Sequence, residues 1–298
     1  MKDTTIRTVD QLVEKLLAIR SKRLGAHLKA EVLLVASEIR PGLDAAIRVE
    51  LEKLKQSKKI CKTLAICLET IGGHIDVVDR IHTVLRQHFD EVYFVVPDFA
   101  YSAGTVLALS GDRIYMDYYS VLGSIDPQIE DAQGALVPGL GYISKFEELV
   151  KRIDEKPPGK AQAETAYLLN KFDPGRLFLL EQAKSRSIAL LEEWLSTYKF
   201  KDWTKTETGQ NPVNAQARRE RAQKIADALC NPKLWHSHSR GIGIAELRGD
   251  KIKLKIDDFS EERALEEKVR LYYDLAIDYR NKLGARSIIH TERGLRRL

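Results

Sequence analysis

Lys62-Thr63-Leu64-Ala65-Ile66-Cys67-Leu68 runs directly into Glu69-Thr70-Ile71-Gly72-Gly73. The first seven residues read as a strand with apolar side chains on both faces, which suits the interior of a parallel sheet. The glycine pair then opens a helix that extends through Gln87. Upstream, Val9–Leu28 has apolar positions at helical spacing with basic residues between them, and reads as a surface helix. Glu31–Ala36 reads as a strand, Pro41-Gly42 as a turn, and Leu43–Leu54 as an amphipathic helix. Downstream, Val92–Val96 is a third buried strand, Ser102–Ser110 a helix of small residues, and Arg113–Met116 a further strand. Strands alternating with helices predict an α/β fold with a parallel sheet and right-handed crossovers.

Beyond about residue 130 the pattern changes to helix. Tyr142–Ile153 reads as a helix that Lys156-Pro157-Pro158-Gly159 ends, and Ala161–Asn170, Gly175–Tyr198, Asn214–Leu229 and Glu261–Lys282 follow as helices. The expected organisation is an N-terminal helical segment at 1–30, an α/β core at 31–150 and a mainly helical region at 151–298.

The 298 residues carry a net charge of +5 with 44% hydrophobic and 31% charged residues. Charges of both signs are interleaved, so the balance does not argue for nucleic acid. Arg293-Gly294-Leu295-Arg296-Arg297-Leu298 is locally basic and reads as a solvated tail. Cys61, Cys67 and Cys230 are an odd set that fits buried thiols in a reducing compartment. The first residues, MKDTTIRTVDQ, lack a signal-peptide stretch, and no run approaches the ~20 apolar residues of a membrane helix. A cytoplasmic protein is expected. No Cys-x-x-Cys or His-x-x-x-His spacing suggests zinc, and no Gly-x-x-x-x-Gly-Lys loop suggests an ATPase. No metal or cofactor is expected.

Two turns stand out chemically. Gly72-Gly73 follows one buried strand, and two glycines at such a turn let backbone N–H groups face a cleft. Ser102-Ala103-Gly104-Thr105 follows the next strand, with the serine at a helix start where free N–H groups favour a developing anion. Consecutive parallel strands bring both turns to the carboxyl edge of the sheet. A nucleophile and oxyanion donors would then meet, as acyl transfer requires. Taken singly, the glycines read as turn chemistry and Ser102 as an N-cap.

Three motifs in order carry a resemblance: Thr70-Ile71-Gly72-Gly73, Ser102-Ala103-Gly104-Thr105 and Leu122-Gly123-Ser124-Ile125-Asp126-Pro127-Gln128. From Leu64 to Gln128 the chain resembles the Clp/crotonase-fold serine peptidases. That group includes the Clp protease proteolytic subunit, signal peptide peptidase A and the serine dehydrogenase proteinase family. Ile71 departs from the proline usual in that family. The resemblance implies a Clp/crotonase-like sheet flanked by helices, with Ser102 as nucleophile. It implies an oxyanion hole from the N–H groups of Gly73 and Ala103, with help from Gly72. Peptide or protein substrates and a homo-oligomer are also implied, and whether an activating partner protein switches the peptidase on stays open.

The base that activates Ser102 stays open between candidates. Lys145 lies 43 residues after Ser102, about the separation of the lysine base in signal peptide peptidases, and a buried lysine with a lowered pKa can serve. Its plain reading is a surface lysine in a charged helix. Asp126 stands about where the Clp subunit carries its triad histidine, and could orient a histidine from elsewhere, His238 being the candidate. Their plain readings are a turn cap and a structural histidine. His74, next to the glycine pair, could overhang the cleft. His27, His82, His88 and His290 read as solvated positions. A crotonase-type acyl-thioester enzyme and a non-catalytic peptide-binding scaffold are the alternative functions.

Overall fold

Leu33, Val35, Leu64, Ile66, Leu68, Val92 and Phe94 pack in one apolar core, while Val32, Leu34, Ala36, Ala65, Cys67 and Val95 pack in another. Alternate residues of the same strands therefore serve opposite faces of one sheet, so the apolar runs have no polar alternation. The structure, a computed structural model, describes residues 6, 8–56, 61–125, 128–130, 136–157, 159–206, 209, 211–235 and 240–298.

The strands of this sheet are β1 (Glu31–Ala36), β2 (Thr63–Glu69), β3 (Glu91–Val95), β5 (Arg113–Met116), β10 (Asp257–Asp258), β11 (Ile288–Thr291) and β12 (Gly294–Arg297). Their order is β10-β5-β3-β2-β1-β11-β12. β10, β5, β3, β2 and β1 are parallel, and β11 and β12 pair antiparallel beyond β1. A second small sheet joins β4 (Phe99–Ala100), β6 (Val121–Leu122) and β9 (Ile242–Gly243), and β7 (Gln128–Glu130) forms a hairpin with β8 (Leu136–Pro138).

One face of the large sheet is covered by α2 (Leu43–Lys55), α3 (Ile75–His88), α4 (Ala103–Leu109), α7 (Pro174–Trp194) and α8 (Ala215–Leu229). The other is covered by α1 (Val9–Leu28) and α11 (Arg263–Lys282). The short helices α9 (Pro232–Trp235) and α10 (Ile244–Arg248) lie near the return of the chain to β10, and α5 (Gly139–Asp154) and α6 (Gln162–Lys171) follow the hairpin. The fold is α/β, with a mostly parallel sheet flanked by helices and a largely helical C-terminal part, as the sequence predicts.

Several local expectations are corrected. The basic C-terminal stretch is not a free tail: Gly294–Arg297 is edge strand β12, and Arg296 lies 3.6 Å from Glu50. A helix expected to run to Tyr198 gives way to a π-helical turn at Leu195–Lys199. His82 and His290 are not solvated. His82 is buried and stacks on Trp194 at 4.2 Å between ring centroids, and His290 sits inside β11 with Nδ1 2.7 Å from the Tyr272 hydroxyl. His27 is half-buried and pairs with Glu262 at 2.9 Å. Among the described residues no helix is long and apolar enough to cross a membrane.

Candidate active site

The residue after β2 and strand β4 are stitched together just beyond the large sheet. Thr70 N donates to Phe99 O (3.2 Å), and Tyr101 N donates to Thr70 O (2.9 Å). This ladder places the glycine pair beside the start of α4. Gly72 has φ +99° and Gly73 φ +140°, values that side chains other than glycine's rarely adopt. A Cβ on Gly72 would lie 2.7 Å from Tyr101 O, 2.9 Å from Ser102 Cβ and 3.3 Å from Ala103 N. The approach of the two turns therefore requires glycine here.

Gly73 pairs with Ile39 as an isolated parallel bridge: Ile39 N donates to Gly72 O and His74 N to Ile39 O, both at 2.8 Å. In such a bridge the central residue turns its own N–H away from the partner strand. The Gly73 N–H thus faces the side opposite Ile39, and it has no acceptor among the described residues. Ala103 is the first residue of α4, where an N–H has no partner within the helix.

Ser102 is half-buried and has φ +51° and ψ −118°, a strained region for a residue with a side chain. It occupies the N-cap position of α4, as its plain reading has it, but its hydroxyl makes no capping bond. Thr105 anchors the turn. Its fully buried hydroxyl donates to Ala100 O (2.8 Å) or Gly123 O (2.9 Å) and accepts from Gly123 N (2.9 Å). Gly123 in turn lies so close that a Cβ would reach Tyr101 Cα at 2.9 Å and Ser102 N at 3.1 Å. Thr70 Oγ1 accepts from Gly72 N at 3.1 Å, and its methyl occupies the space that a side chain on Gly104 would need.

The other predicted residues are distributed as follows. His74 is exposed at the N-cap of α3, with its side chain making no cap bond. Lys145 stands on the outer surface of α5, with its side chain 49% exposed and Nζ 3.1 Å from Glu148. The burial that a lysine base needs is absent in this arrangement. Asp126 and His238 lie outside the described residues.

Thr70, Thr105 and Gly123 are site residues whose roles sequence reasoning missed. All three stand inside the quoted motifs, but nothing local reveals that a threonine hydroxyl will cross from α4 to the segment after β6.

A charged lattice supports this edge from the α11 side. Glu69, the last residue of β2, accepts from Arg280 and from the Tyr273 hydroxyl, and Arg270 donates to Pro97 O (2.8 Å) and pairs with Asp117. Burial, then the charge of Glu69, pushes the Asp98 carboxyl up. Burial, then Asp98, pushes the Tyr101 phenol up. Among the described residues no cluster of His, Cys, Asp and Glu could hold a metal ion.

Residues 52–146 match the family described as ClpP-like SDH-type serine proteinase. An uncharacterized protein of Methanocaldococcus jannaschii is 31% identical over 107 residues, 36% of this chain and 33% of that protein. The Na(+)/H(+) antiporter NhaA of Brucella abortus is 24% identical over 260 residues, 80% of this chain and 31% of the antiporter. The chain thus spans about a third of the length of these relatives. Among solved structures, the 1510-N membrane-bound stomatin-specific protease, as a lysine-to-alanine mutant with a substrate peptide, aligns at a TM-score of 0.45 and 16% identity. That alignment covers 80% of this chain and 78% of the other.

Proposed function

We propose, from the match of residues 52–146 to the family described as ClpP-like SDH-type serine proteinase, that the chain is a serine peptidase that cleaves peptide bonds through an acyl-enzyme on Ser102. The observation that carries this reading is the contact of Gly72 with the Ser102–Ala103 turn, closer than any side chain would permit. The glycine pair beside the Ser102 turn supports a reading in which a nucleophile and backbone donors meet.

In the proposed reaction Ser102 Oγ attacks the substrate carbonyl carbon while a base takes the hydroxyl proton. The carbonyl oxygen becomes an anion received by the N–H groups of Gly73 and Ala103, with Gly72 shaping the approach. The C–N bond then breaks, and the proton passes from the base to the leaving amine. Water repeats the sequence and releases the acid. No cofactor enters any step. The base is Lys145 or His238 held by Asp126. A lysine base requires α5 to turn Lys145 away from Glu148 and into a drier setting when substrate binds.

The test is labelling by a fluorophosphonate probe together with turnover of a peptide reporter. Labelling and turnover by the wild type, with loss of both in Ser102→Ala, supports the peptidase. Undiminished labelling of Ser102→Ala removes the nucleophile assignment. Thioester turnover without labelling would make the chain a crotonase-type enzyme.

A further inference from the structure

Helix α1 is apolar on two sides. Leu17 and Leu24 are buried in the core shared with Val269, Tyr272 and Ala276 of α11. Val9, Leu12, Leu16 and Ile19 instead face outward, between 36% and 76% exposed. Their spacing of three, four and three residues is the seam by which one helix packs on another. Leu271 of α11, 43% exposed, extends the seam, because Arg20 of α1 donates to its carbonyl and holds the two helices side by side. The pairing of His27 with Glu262, near the opposite end of each helix's sequence, shows that α1 and α11 run antiparallel.

The seam has a rim of each sign. Lys15 and Lys22 are exposed along α1 on the side away from Arg20 and His27, which meet α11, while the exposed Arg23, seven residues after Leu16, continues the seam. Glu267, Asp274 and Asp278 are exposed along α11 on the far side of Leu271. Lys22 is tied to Glu292 and Asp278 to Lys282, whereas Lys15, Arg23, Glu267 and Asp274 have no ion-pair partner among the described residues. A basic rim, an apolar seam and an acidic rim in that order form a self-complementary pattern: rotation by a half-turn lays each rim on its opposite.

We propose that the α1/α11 face is an interface between two copies of this chain related by a two-fold axis. It stands independently of the peptidase reading. Counting about one residue of α11 per residue of α1 from the Arg20–Leu271 contact, Asp274 is level with Leu17. An axis through Leu16 then sets Lys15 of one copy against Asp274 of the other, once on each side of the axis. The apolar seam supplies the core, and the charges select the register. An anionic lipid surface fits less well, since it would meet the carboxylates of Glu267 and Asp274 along with the basic rim.

Sedimentation velocity of the full chain at several concentrations, at low and high salt, tests the proposal. The wild type is expected to be in monomer–dimer equilibrium and to weaken at high salt. Leu16→Asp should raise the dissociation constant on the order of thirtyfold or more, the effect of losing a central anchor. At a concentration low enough for the wild type to be monomeric, its melting temperature should match the wild-type value, because the side chain is already exposed in the single chain. Lys15→Asp should weaken the dimer, and Lys15→Asp combined with Asp274→Lys should restore it. A wild type that stays monomeric, a dimer indifferent to Leu16→Asp, or a charge swap that fails to rescue would each overturn the proposal. So would flotation of a monomeric wild type with phosphatidylserine vesicles that Leu16→Asp abolishes, which would assign the seam to a membrane.

Discussion

At Ser102 the chain carries a side chain in a backbone conformation suited to glycine, with φ +51° and ψ −118°. Such strain costs about 1–3 kcal/mol and persists only where the surroundings impose it. Here they do so through the Thr105 hydroxyl, the close packing of Gly123 and the Gly72 turn. Replacing Ser102 by alanine keeps the strain, whereas replacing it by glycine releases it at the expense of roughly 1 kcal/mol of extra unfolded-state entropy. We therefore expect Ser102→Gly to be more stable than Ser102→Ala by about 1 kcal/mol, with both inactive. Urea unfolding of the two variants checks this. Equal stability, or a less stable glycine variant, would mean that the turn carries no strain at this residue.

The α3–α7 contact is built around a neutral histidine. His82 of α3 stacks on Trp194 of α7 and meets Tyr198 edge-on at 5.3 Å. Arg86, one turn along α3, lies 3.6 Å over the Tyr198 ring and donates to Asp112 (2.7 Å) and Ser110 O (2.6 Å). Burial, reinforced by Arg86 and opposed by Asp112, pushes the His82 imidazole down to about 4. His290, enclosed in β11, is pushed by burial to the same value. Each histidine binds its proton more readily in the unfolded chain, whose value is about 6.5. Stability is therefore full above pH 6.5 and falls as pH drops from about 6.5 to about 4, where the folded form protonates too. Between pH 7 and pH 4.5 the His82 share should be about 2 kcal/mol. His82→Phe keeps a ring against Trp194 and removes the proton. Its unfolding free energy should lose about 2 kcal/mol less than the wild type over that range. An identical loss in both proteins would show that His82 is not held neutral.

Which residue would act as the proposed base for Ser102 is decided by the assembled molecule, because the candidates stand in different parts of the chain. Lys145 comes from α5, and His238 from the stretch between α9 and β9. A base acts in its deprotonated form, so activity rises with pH through its pKa. A histidine base gives a rise centred near 6.5, and a lysine base one displaced toward the alkaline side. Lys145→Ala should silence the lysine dyad and spare the triad, while His238→Ala and Asp126→Asn should do the reverse. Rates of all three variants with a reporter peptide, beside the wild-type pH profile, decide between them. Full activity in Lys145→Ala ends the dyad, and full activity in both of the others ends the triad.

Leu64–Leu68 and Val92–Val96 announced interior strands, because a strand buried on both faces must be apolar at every position, and Glu31–Ala36 read as a short apolar strand. The order of the glycine pair and the Ser-Ala-Gly-Thr helix start placed both turns at one edge of the sheet, and those signals are local. β12 was hidden because Gly-Leu-Arg-Arg has no strand periodicity. It forms only where β11 already lies along β1, some 250 residues earlier in sequence. His82 and His290 looked solvated because a charged neighbourhood in sequence does not reveal a tryptophan or a tyrosine arriving from another helix. The strain at Ser102 and the cross-link from Thr105 to Gly123 depend in the same way on surfaces brought together by folding. Periodicity and turn chemistry are written into neighbouring residues, while strand edges, burial of single polar groups and backbone strain arise from contacts between segments remote in the chain.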